Sequence, residues 1–394
     1  MKGINRWSRF AVALLAAGLV LSGCGVTNPV TGEQELGLVS ETSEIDIGRK
    51  QYLPSRQAQG GDYKLDPALT RYVKSVGGKL AAVADRRLPY EFAVINDSTP
   101  NAWALPGGKI AVNRGLLTEL NSEAELAAVL SHEIVHAAAR HGAQGVERDT
   151  MISGALMVTS VLLGDRGYRD LAMTGAQIGA GAVNQKYGRD AEREADYYGI
   201  RYMVRAGYDP AAAVDLQQTF VRLNAERRSD WLTGLFASHP PSQERVDNNR
   251  KAVAQLQNPP RFRGEKAYQK RIARLKRVKP AYEAYDKGRK ALKKGDYGTA
   301  AAMADKAIRI EPREALFYSL KGDAQIKRRN YSGALSTYDK TIRRDSGYFR
   351  HYLIRGMLRE KLGDTSGARS DLERSMKLLP TKAAQDKLVR MRAR

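Results

Sequence analysis

The stretch "SHEIVHAAARHG", residues 131–142, predicts a helix that presents two histidines on one face. Residues four apart on an α-helix lie about 40° from eclipsed and about 6 Å apart along the axis. His132 and His136 can therefore share one metal ion, and Glu133 lies beside them, where a carboxylate can take a proton from water at the metal. The alternative is an ordinary helix whose histidines are buried and hydrogen-bonded to backbone groups.

The flanking residues support a helix over residues 121–142. Ser122 followed by Glu125 is typical of a capping box, and Gly142 is expected just after the last turn. Apolar residues recur every three to four positions, at Leu126, Val129, Leu130, Ile134 and Val135.

A catalytic metal site needs a third protein ligand. His141 is five residues past His136, about 140° round the predicted helix, and is badly placed. The segment "EREAD", residues 192–196, puts Glu192 and Asp196 on one face of a later helix. Glu192 can bind the metal, and Asp196 can accept the second N–H of a histidine ligand. Glu194 points elsewhere and is the weaker candidate; the alternative is a solvated acidic helix face.

These motifs resemble the M48 family of zinc metallopeptidases, in which H-E-x-x-H is followed by E-x-x-x-D on a later helix. Residues 101–117, "NAWALPGGKIAVNRGLL", resemble the family's strand segment beside the active site, and residues 238–245, "SHPPSQER", its His-Pro motif. The resemblance covers roughly residues 40–250. Combined with the lipobox and the C-terminal repeats described below, these motifs resemble the periplasmic branch that handles outer-membrane protein assembly. The sequence lacks the several long apolar spans of the branch that cleaves prenylated proteins.

The resemblance implies one zinc ion per chain, held by His132, His136 and Glu192. Glu133 is then the general base and later the proton donor, and Asp196 orients a histidine ligand. Two imidazoles and a carboxylate favour zinc but would admit other divalent ions.

The resemblance also assigns residues outside the two helices. Arg245 is expected to stabilise the oxyanion of the tetrahedral intermediate. For His239 there are three hypotheses. It donates a hydrogen bond to the oxyanion, it binds zinc as a fourth ligand that latches the resting site, or it is a loop histidine that only contributes to packing. An extended substrate is expected to pair with a strand that begins with Asn101, Ala102, Trp103 and Ala104.

A small sheet is predicted within residues 88–117. The segments "YEFAVI" and "KIAVN" are short β-type runs, separated by prolines and glycines.

Two further segments lie outside this sheet. Residues 27–37 are predicted to form a polar tether. Residues 151–164, "MISGALMVTSVLLG", favour a core helix over a membrane segment, because the apolar run is too short to span a bilayer.

The last third of the chain contains a repeat with a period of 34 residues. Two columns of small residues keep that spacing: Gly288, Gly322 and Gly356, and Ala300, Ala334 and Ala368. This period is typical of tetratricopeptide repeats, although their usual tryptophan is absent and Ser346 replaces an expected proline. We expect three repeats with a concave surface that recruits a partner or substrate protein, or that merely braces the neighbouring domain.

The N-terminus reads as an export signal. A basic start, "MKGINRWSRF", precedes the short apolar run "AVALLAAGLV". The following "LSGC" resembles a bacterial lipobox, so Cys24 is expected to be lipidated; the alternative is a chance cysteine. Because Cys24 is the only cysteine, no intrachain disulfide can form. Gly25 in place of an aspartate favours anchoring at the outer membrane, facing the periplasm.

Charge divides the chain into two parts. Residues 261–394 carry 36 Lys and Arg against 15 Asp and Glu, which accounts for nearly all of the net charge of +22. A basic segment of this kind can bind acidic proteins or anionic lipid. Alternatively, its charged side chains simply face solvent on the outside of the repeats. Because the protein is expected to be exported, we expect no nucleic-acid partner.

The sequence thus predicts a mainly α (α+β) protein. The expected parts are a signal peptide (1–24), a zincin-like metallopeptidase domain with a small sheet (25–258), a basic linker (259–280), and three repeats with a cap helix (281–394). The predicted function is a lipid-anchored zinc endopeptidase that degrades misfolded or stalled envelope proteins. The alternatives are a chaperone or assembly scaffold with a structural or latched zinc, and a cell-wall-associated protein with an incidental motif.

Overall fold

A computed structural model describes residues 25–148, 187–226 and 234–392. The predicted signal peptide with Cys24 and the predicted core helix at residues 151–164 lie outside these ranges. The described chain is mainly helical with two small sheets, which confirms the predicted fold class. Within the same ranges, none of the helices combines the length and apolarity needed to cross a bilayer.

The central sheet has three strands: β3 (Glu91–Ile95), β4 (Ala102–Leu105) and β5 (Lys109–Asn113). Their order is β3-β5-β4, with β3 parallel and β4 antiparallel to β5. Because alternate side chains point to opposite faces, one face carries Phe92 and Val94 into the main core, and the other carries Ala93 and Ile95 into a smaller one. Both faces of the sheet are therefore covered by helices.

The helices around this sheet are α1 (Glu41–Ala58), α2 (Pro67–Ala81), α3 (Arg114–Leu117), α4 (Glu123–Ala138), α5 (Arg189–Arg205), α6 (Ala211–Ala225), α7 (Leu235–Ser238) and α8 (Gln243–Ala254). The metal-motif helix α4 is buried along nearly its whole length. Its amino end is capped as expected, because the Ser122 hydroxyl accepts the N–H of Glu125 at 3.0 Å. The carboxylate of Glu125 in turn accepts the N–H of Asn121 at 2.8 Å.

The predicted end of α4 at Gly142 is wrong. The helix ends at Ala138, and Arg140 takes the left-handed backbone conformation with φ 63°. The Arg140 side chain lies buried on two carboxylates, at 2.6 Å from Glu44 and 3.1 Å from Glu147. These ion pairs hold Arg140 at a turn, and residues 141–148 then form a separate helical segment.

The segment predicted as a polar tether contains a β-hairpin instead, made of β1 (Gly25–Thr27) and β2 (Gln34–Leu36). Asn28 explains the turn between them. Its buried side chain accepts the N–H of Val30 at 2.9 Å and donates to Glu35 at 2.7 Å. The polar residues of this segment therefore form a hydrogen-bonded turn rather than a tether.

The repeats form seven helices: α9 (Glu265–Lys293), α10 (Tyr297–Ile310), α11 (Ala315–Lys327), α12 (Tyr331–Arg344), α13 (Phe349–Lys361), α14 (Thr365–Leu378) and α15 (Lys382–Arg392). Helices α10, α12 and α14 start 34 residues apart, so the predicted period is confirmed. The glycine column marks helix crossings: a Cβ on Gly322 would lie 2.7 Å from the Tyr338 ring, and one on Gly356 would lie 3.0 Å from Leu372.

Residues 265–280 of the predicted basic linker belong to the single long helix α9. Tyr268, Ile272 and Leu275 are buried in the main hydrophobic core together with repeat residues such as Phe317. Their spacing of three to four residues is that of an amphipathic helix, which the surrounding lysines and arginines obscured. One hydrophobic core therefore extends from the sheet into the repeats.

Polar side chains tie the same two parts together. Asn96, just after β3, donates to Glu314 at 3.1 Å, and Tyr282 of α9 donates to the same carboxylate at 2.6 Å. The Arg114 guanidinium lies 3.3 Å from the centre of the Tyr282 ring. These groups are buried or nearly so, and they fix the repeats against the end of the sheet.

Candidate metal centre

The close packing of α4 and α5 brings the two sequence motifs together. Gly199 of α5 lies against α4, where a Cβ would be 3.3 Å from the backbone nitrogen of His132 and from the hydroxyl of Ser131. Ala195, on the same face, is fully buried. Small residues at the crossing let α5 approach closely enough for Glu192 to reach the histidines of α4.

Four side chains converge on one point. The Nε2 atoms of His132 and His136 are 3.0 Å apart, and Glu192 lies 3.5 Å from the first and 3.4 Å from the second. Nδ1 of His239, which follows α7, lies 2.9 Å from Glu192 and 3.2 Å from Nε2 of His132. One donor atom from each residue can be chosen so that all four lie within 4.8 Å of one another.

This donor set fits a zinc ion. Four ligands at about 2.0–2.1 Å around a tetrahedral zinc are about 3.4 Å from each other, close to the separations seen here. Protons alone explain the arrangement poorly, because Nε2 of His132 faces two other imidazole nitrogens and one proton can join only one such pair. A cation satisfies every donor at once. The chemistry of the set favours zinc without fixing the metal's identity.

The electrostatics of the cluster point the same way. Burial alone would lower the pKa of His132, but the carboxylates of Glu192 and Asp196 outweigh it and raise that pKa to about 10. Burial would likewise raise the pKa of Glu192, yet His239 and His132 hold it well below its usual value. The ionised carboxylates therefore attract positive charge, which a proton or a metal ion can supply.

Asp196 lies behind the donors. Its carboxylate is 3.1 Å from Nδ1 of His132, and it accepts two hydrogen bonds from Arg245, both at 2.7 Å. Burial opposes ionisation of Asp196, but Arg245 and His132 outweigh it and lower its pKa. The carboxylate is thus placed to fix the orientation of the His132 ring.

His141 is not among the four donors, yet it is close to them. Its Nδ1 is 2.8 Å from Nδ1 of His136, the ring nitrogen that faces away from the other donors. Its Nε2 is 3.5 Å from Glu194. In a helix that continued past Arg140, His141 would point away from the donors, as its spacing predicted. The turn at Arg140 instead brings His141 back to the site. Together His141 and Glu194 form an outer contact of His136 that the sequence analysis missed.

Glu133 is almost completely buried beside the donors, with 1% of its surface exposed. One carboxylate oxygen is 3.5 Å from Nε2 of His239, and the other has no hydrogen-bond partner among the described residues. Burial raises the pKa of Glu133. A carboxylate in this setting favours taking up a proton.

Arg245, near the start of α8, is buried and already surrounded by acceptors. Besides its two bonds to Asp196, its Nη1 lies 2.8 Å from Glu192 and 3.2 Å from the carbonyl oxygen of Pro240. The guanidinium thus links α8 to α5. It also lines the cavity next to the donors.

The predicted substrate strand lies at an edge of the central sheet. Ala102, Trp103 and Ala104 belong to β4, which pairs only with β5 within the described residues, and Asn101 immediately precedes it. The carbonyl of Pro100 accepts the N–H of Leu235 at 2.9 Å, so the start of β4 is bonded to α7, just ahead of His239. Next to the donors lies an apolar cavity lined by Val129, Ile200, Met203, Leu216, Phe220 and Leu235.

Tyr187 is a further neighbour that the sequence analysis missed. Its ring stacks on His136 with the centroids 3.9 Å apart and the planes 15° from parallel. Burial raises its pKa, so the phenol stays neutral. Its position just before "GRDAEREAD" is the only sequence signal, and nothing in its spacing could have assigned it to the site.

Comparison with known proteins agrees with this geometry. Residues 67–253 match peptidase family M48, and residues 285–349 and 319–383 match tetratricopeptide repeats. The chain is 29% identical over 229 residues to the beta-barrel assembly-enhancing protease of Escherichia coli (55% of this chain, 46% of that one). It is 36% identical over 183 residues to the mitochondrial metalloendopeptidase OMA1 of Schizosaccharomyces pombe (45% and 51%).

The likenesses cover parts of longer proteins. The chain spans 46% of the Escherichia coli relative and 41% of the corresponding protease of Yersinia pestis. Among solved structures, the TPR domain of Arabidopsis OM64 is 24% identical and covers 30% of this chain and 98% of its own, with a TM-score of 0.29. The prediction of a metallopeptidase followed by repeats is confirmed by the two family matches. Residues 67–253 are thus a metallopeptidase domain of family M48, and tetratricopeptide repeats follow it in the same chain.

Proposed function

We propose that this chain is a zinc-dependent endopeptidase that degrades misfolded or stalled cell-envelope proteins during outer-membrane assembly. The observation that carries the proposal is the convergence of His132, His136 and Glu192 beside the buried carboxylate of Glu133. The relatives named as beta-barrel assembly-enhancing proteases support the choice of substrate class.

Each residue of the site has its own chemical role in the proposed reaction. His132, His136 and Glu192 would hold a zinc ion, which would supply a Lewis acid for activating water and polarising the scissile carbonyl. Glu133 takes the proton from the attacking water and later gives it to the leaving amine, a task that its raised pKa favours. Asp196 holds the His132 ring in place through its 3.1 Å contact.

Substrate binding follows from the surroundings of the donors. An extended chain pairs with β4, and an apolar side chain enters the cavity lined by Val129, Met203 and Leu216. Arg245 stabilises the developing oxyanion by its charge, from a position already fixed by Asp196 and Glu192.

Cleavage of an unfolded protein tests the proposal. The chain from residue 25 onwards, with zinc, is expected to cut casein, and Glu133→Gln is expected to abolish cutting while leaving zinc content and thermal unfolding unchanged. Glu226→Gln, an exposed carboxylate at the end of α6, is the matched control and should cut like wild type. Equal cutting by wild type and Glu133→Gln would refute the assignment of the catalytic base.

A second function is favoured by the position of His239. With this residue the cluster contains four protein donors, which is the closed geometry of a structural zinc site. The chain would then be a chaperone or assembly scaffold, or a protease latched until its substrate or a partner moves the loop. Faster cleavage by His239→Ala indicates a latch. Slower cleavage indicates that His239 contacts the oxyanion.

We further propose that Cys24 carries a lipid anchor at the outer membrane, facing the periplasm, and that the repeats recruit a protein partner or substrate, such as the outer-membrane assembly machinery. The lipobox-like sequence and the basic charge of the repeats support this proposal. Cys24→Ala should move the protein from the membrane to the soluble fraction. If the variant stays with the membrane, the anchor lies elsewhere.

A further inference from the structure

The outer edge of β3 is only partly paired. The carbonyl of Val94 accepts the N–H of Tyr63 at 2.8 Å, and the N–H of Asn96 donates to the carbonyl of Gly61 at 2.8 Å. Backbone groups alternate in direction along a strand, so the N–H and C=O of Phe92 point to this same outer side. In the ranges that the structure describes, no strand pairs with Phe92 there.

This unpaired edge forms part of a groove, which we call the β3 groove. Tyr52 and Arg56 of α1 line one side, Thr70 and Gly78 of α2 line the other, and β3 contributes Phe92 to Val94. Its volume is about 610 Å³, within the range of about 300–1,000 Å³ that is usual for ligand sites. Its shape, a strand edge between two helices and without a partner strand among the described residues, is that of sites that bind a peptide as an added strand.

Gly78 keeps the groove wide. It is exposed on α2, and a Cβ built on it would meet no atom within 4 Å. Gly77, one residue earlier, differs, because a Cβ there would lie 2.6 Å from the Phe92 ring. Gly77 thus serves packing, whereas the absence of a side chain at Gly78 leaves room in front of the strand edge.

The charges around the groove are mostly paired already. The pairs are Arg56 with Asp62 at 2.9 Å, Lys64 with Asp345 at 2.7 Å, and Lys109 with Glu91 at 2.5 Å. Arg71 and Lys74, both exposed on the wall formed by α2, have no acidic partner within the described part of the chain. The groove therefore offers two cationic groups to a ligand and no unpaired carboxylate.

We propose that the β3 groove binds an extended, acidic segment of an unfolded polypeptide, which joins β3 as an added strand through the backbone of Phe92. Arg71 and Lys74 pair with carboxylates of that segment. The groove lies at the opposite edge of the sheet from β4, so a chain held there is bound separately from the segment that β4 presents for cleavage. The inference rests on the proposed function in taking the ligand to be a protease substrate.

Peptide binding to the full chain carrying Glu133→Gln tests this inference. The probe is a short fluorescein-labelled peptide in which Asp alternates with Val, followed by fluorescence anisotropy. Gly78→Phe fills the groove and should raise Kd at least about tenfold, a loss of about 1.4 kcal/mol. Ser75→Phe, exposed on the same helix but outside the groove, is the matched control and should leave Kd unchanged.

Two further comparisons examine the chemistry of the site. Replacing Arg71 and Lys74 together by Glu should weaken the Asp-Val peptide and tighten its Lys-Val counterpart, since the charge of the rim is reversed. Placing proline at alternate positions of the peptide should abolish binding, because proline cannot donate to a strand edge. The charge variant also keeps the test valid if Gly78→Phe does not fold.

Equal Kd values for Gly78→Phe, Ser75→Phe and the parent chain would overturn the proposal, as would peptide binding that survives proline. Self-association of the chain that Gly78→Phe disperses, without any peptide binding, would instead assign the groove to a second copy. Cleavage of casein by wild type separates the two ideas. If casein is cut while the groove variants bind peptide normally, only the groove proposal fails; if the groove binds as expected and casein is not cut, only the protease proposal fails.

Discussion

His351 should make the stability of the protein depend on pH in a way that a single substitution removes. The residue lies in α13 and is 0% exposed, and neither ring nitrogen has a hydrogen-bond partner among the described residues. Its ring makes an edge contact with Tyr348, with the centroids 4.9 Å apart. Burial lowers the pKa of His351 from 6.5 to about 3, so the folded protein holds it neutral.

The sign follows from the two pKa values. Above pH 6.5 the ring is neutral in both the folded and the unfolded chain, and His351 causes no pH dependence. As the pH falls below 6.5 the unfolded chain binds a proton that the folded chain cannot, and stability is lost until the pH reaches about 3. At pH 5, about 1.5 units below the unfolded value, the loss is about 2 kcal/mol at 1.36 kcal/mol per unit.

His351→Phe keeps an aromatic ring against Tyr348 and removes the titrating group. At pH 7 the variant should be at least about as stable as wild type, because two buried polar atoms without partners are lost. Urea unfolding at pH 7 and pH 5 measures the effect: between the two, wild type should lose about 2 kcal/mol more than the variant. If both lose the same amount, His351 is either not neutral in the folded protein or not buried.

Three further substitutions test the packing and the site. Gly322→Ala should destabilise the repeats by about 1–3 kcal/mol, because its Cβ would lie 2.7 Å from the Tyr338 ring. Gly298→Ala, whose Cβ would make only an ordinary contact with an Asp296 oxygen at 3.7 Å, should be neutral or stabilising in the same thermal melts. Glu44→Gln removes a fully buried carboxylate that Arg86 and Arg140 share, which leaves them only Glu41 and Glu147, and it should cost about 3–5 kcal/mol. Glu41→Gln, at a carboxylate 59% exposed, should change the free energy of unfolding by less than about 1 kcal/mol. Asp196→Asn should lower zinc affinity about 10- to 100-fold in a chelator competition, and an unchanged affinity would show that His132 needs no outer carboxylate.

The sequence predicted the structure best where the same residue types recur at a fixed spacing. The 34-residue spacing of Gly288, Gly322 and Gly356 located the repeats, because only a small residue fits where two helices cross. The four-residue spacings in α4 and α5 likewise placed the candidate ligands on two helix faces. That these faces meet could not be read from spacing within either helix; it depends on small residues such as Gly199 at the crossing.

The errors arose where a few side chains, some of them distant in the sequence, determine the backbone conformation. Glu44 and Glu147 hold Arg140 at a turn, which ended α4 early and brought His141 to the site. The buried side chain of Asn28 made a hairpin of a segment whose composition suggested a tether. In the predicted linker, the few apolar residues of α9 lie among many lysines and arginines, so their helical spacing was not recognised. Each of these features depends on a long-range contact or on a minority of residues, and local composition reports neither.

The continuous helix α9 and the shared core also set a minimum length for a substrate under the proposed function. Because Tyr268 and Phe317 belong to one hydrophobic cluster, the repeats cannot swing on a flexible hinge as a separate lobe would. The distance from the repeats to the candidate zinc site is therefore fixed. Under the proposed function, a chain that the repeats hold must be long enough to span this distance before it can be cut. A set of substrates of increasing length should then show a threshold in cleavage rate, and a smooth rise from the shortest peptides onwards would argue against a rigid spacing.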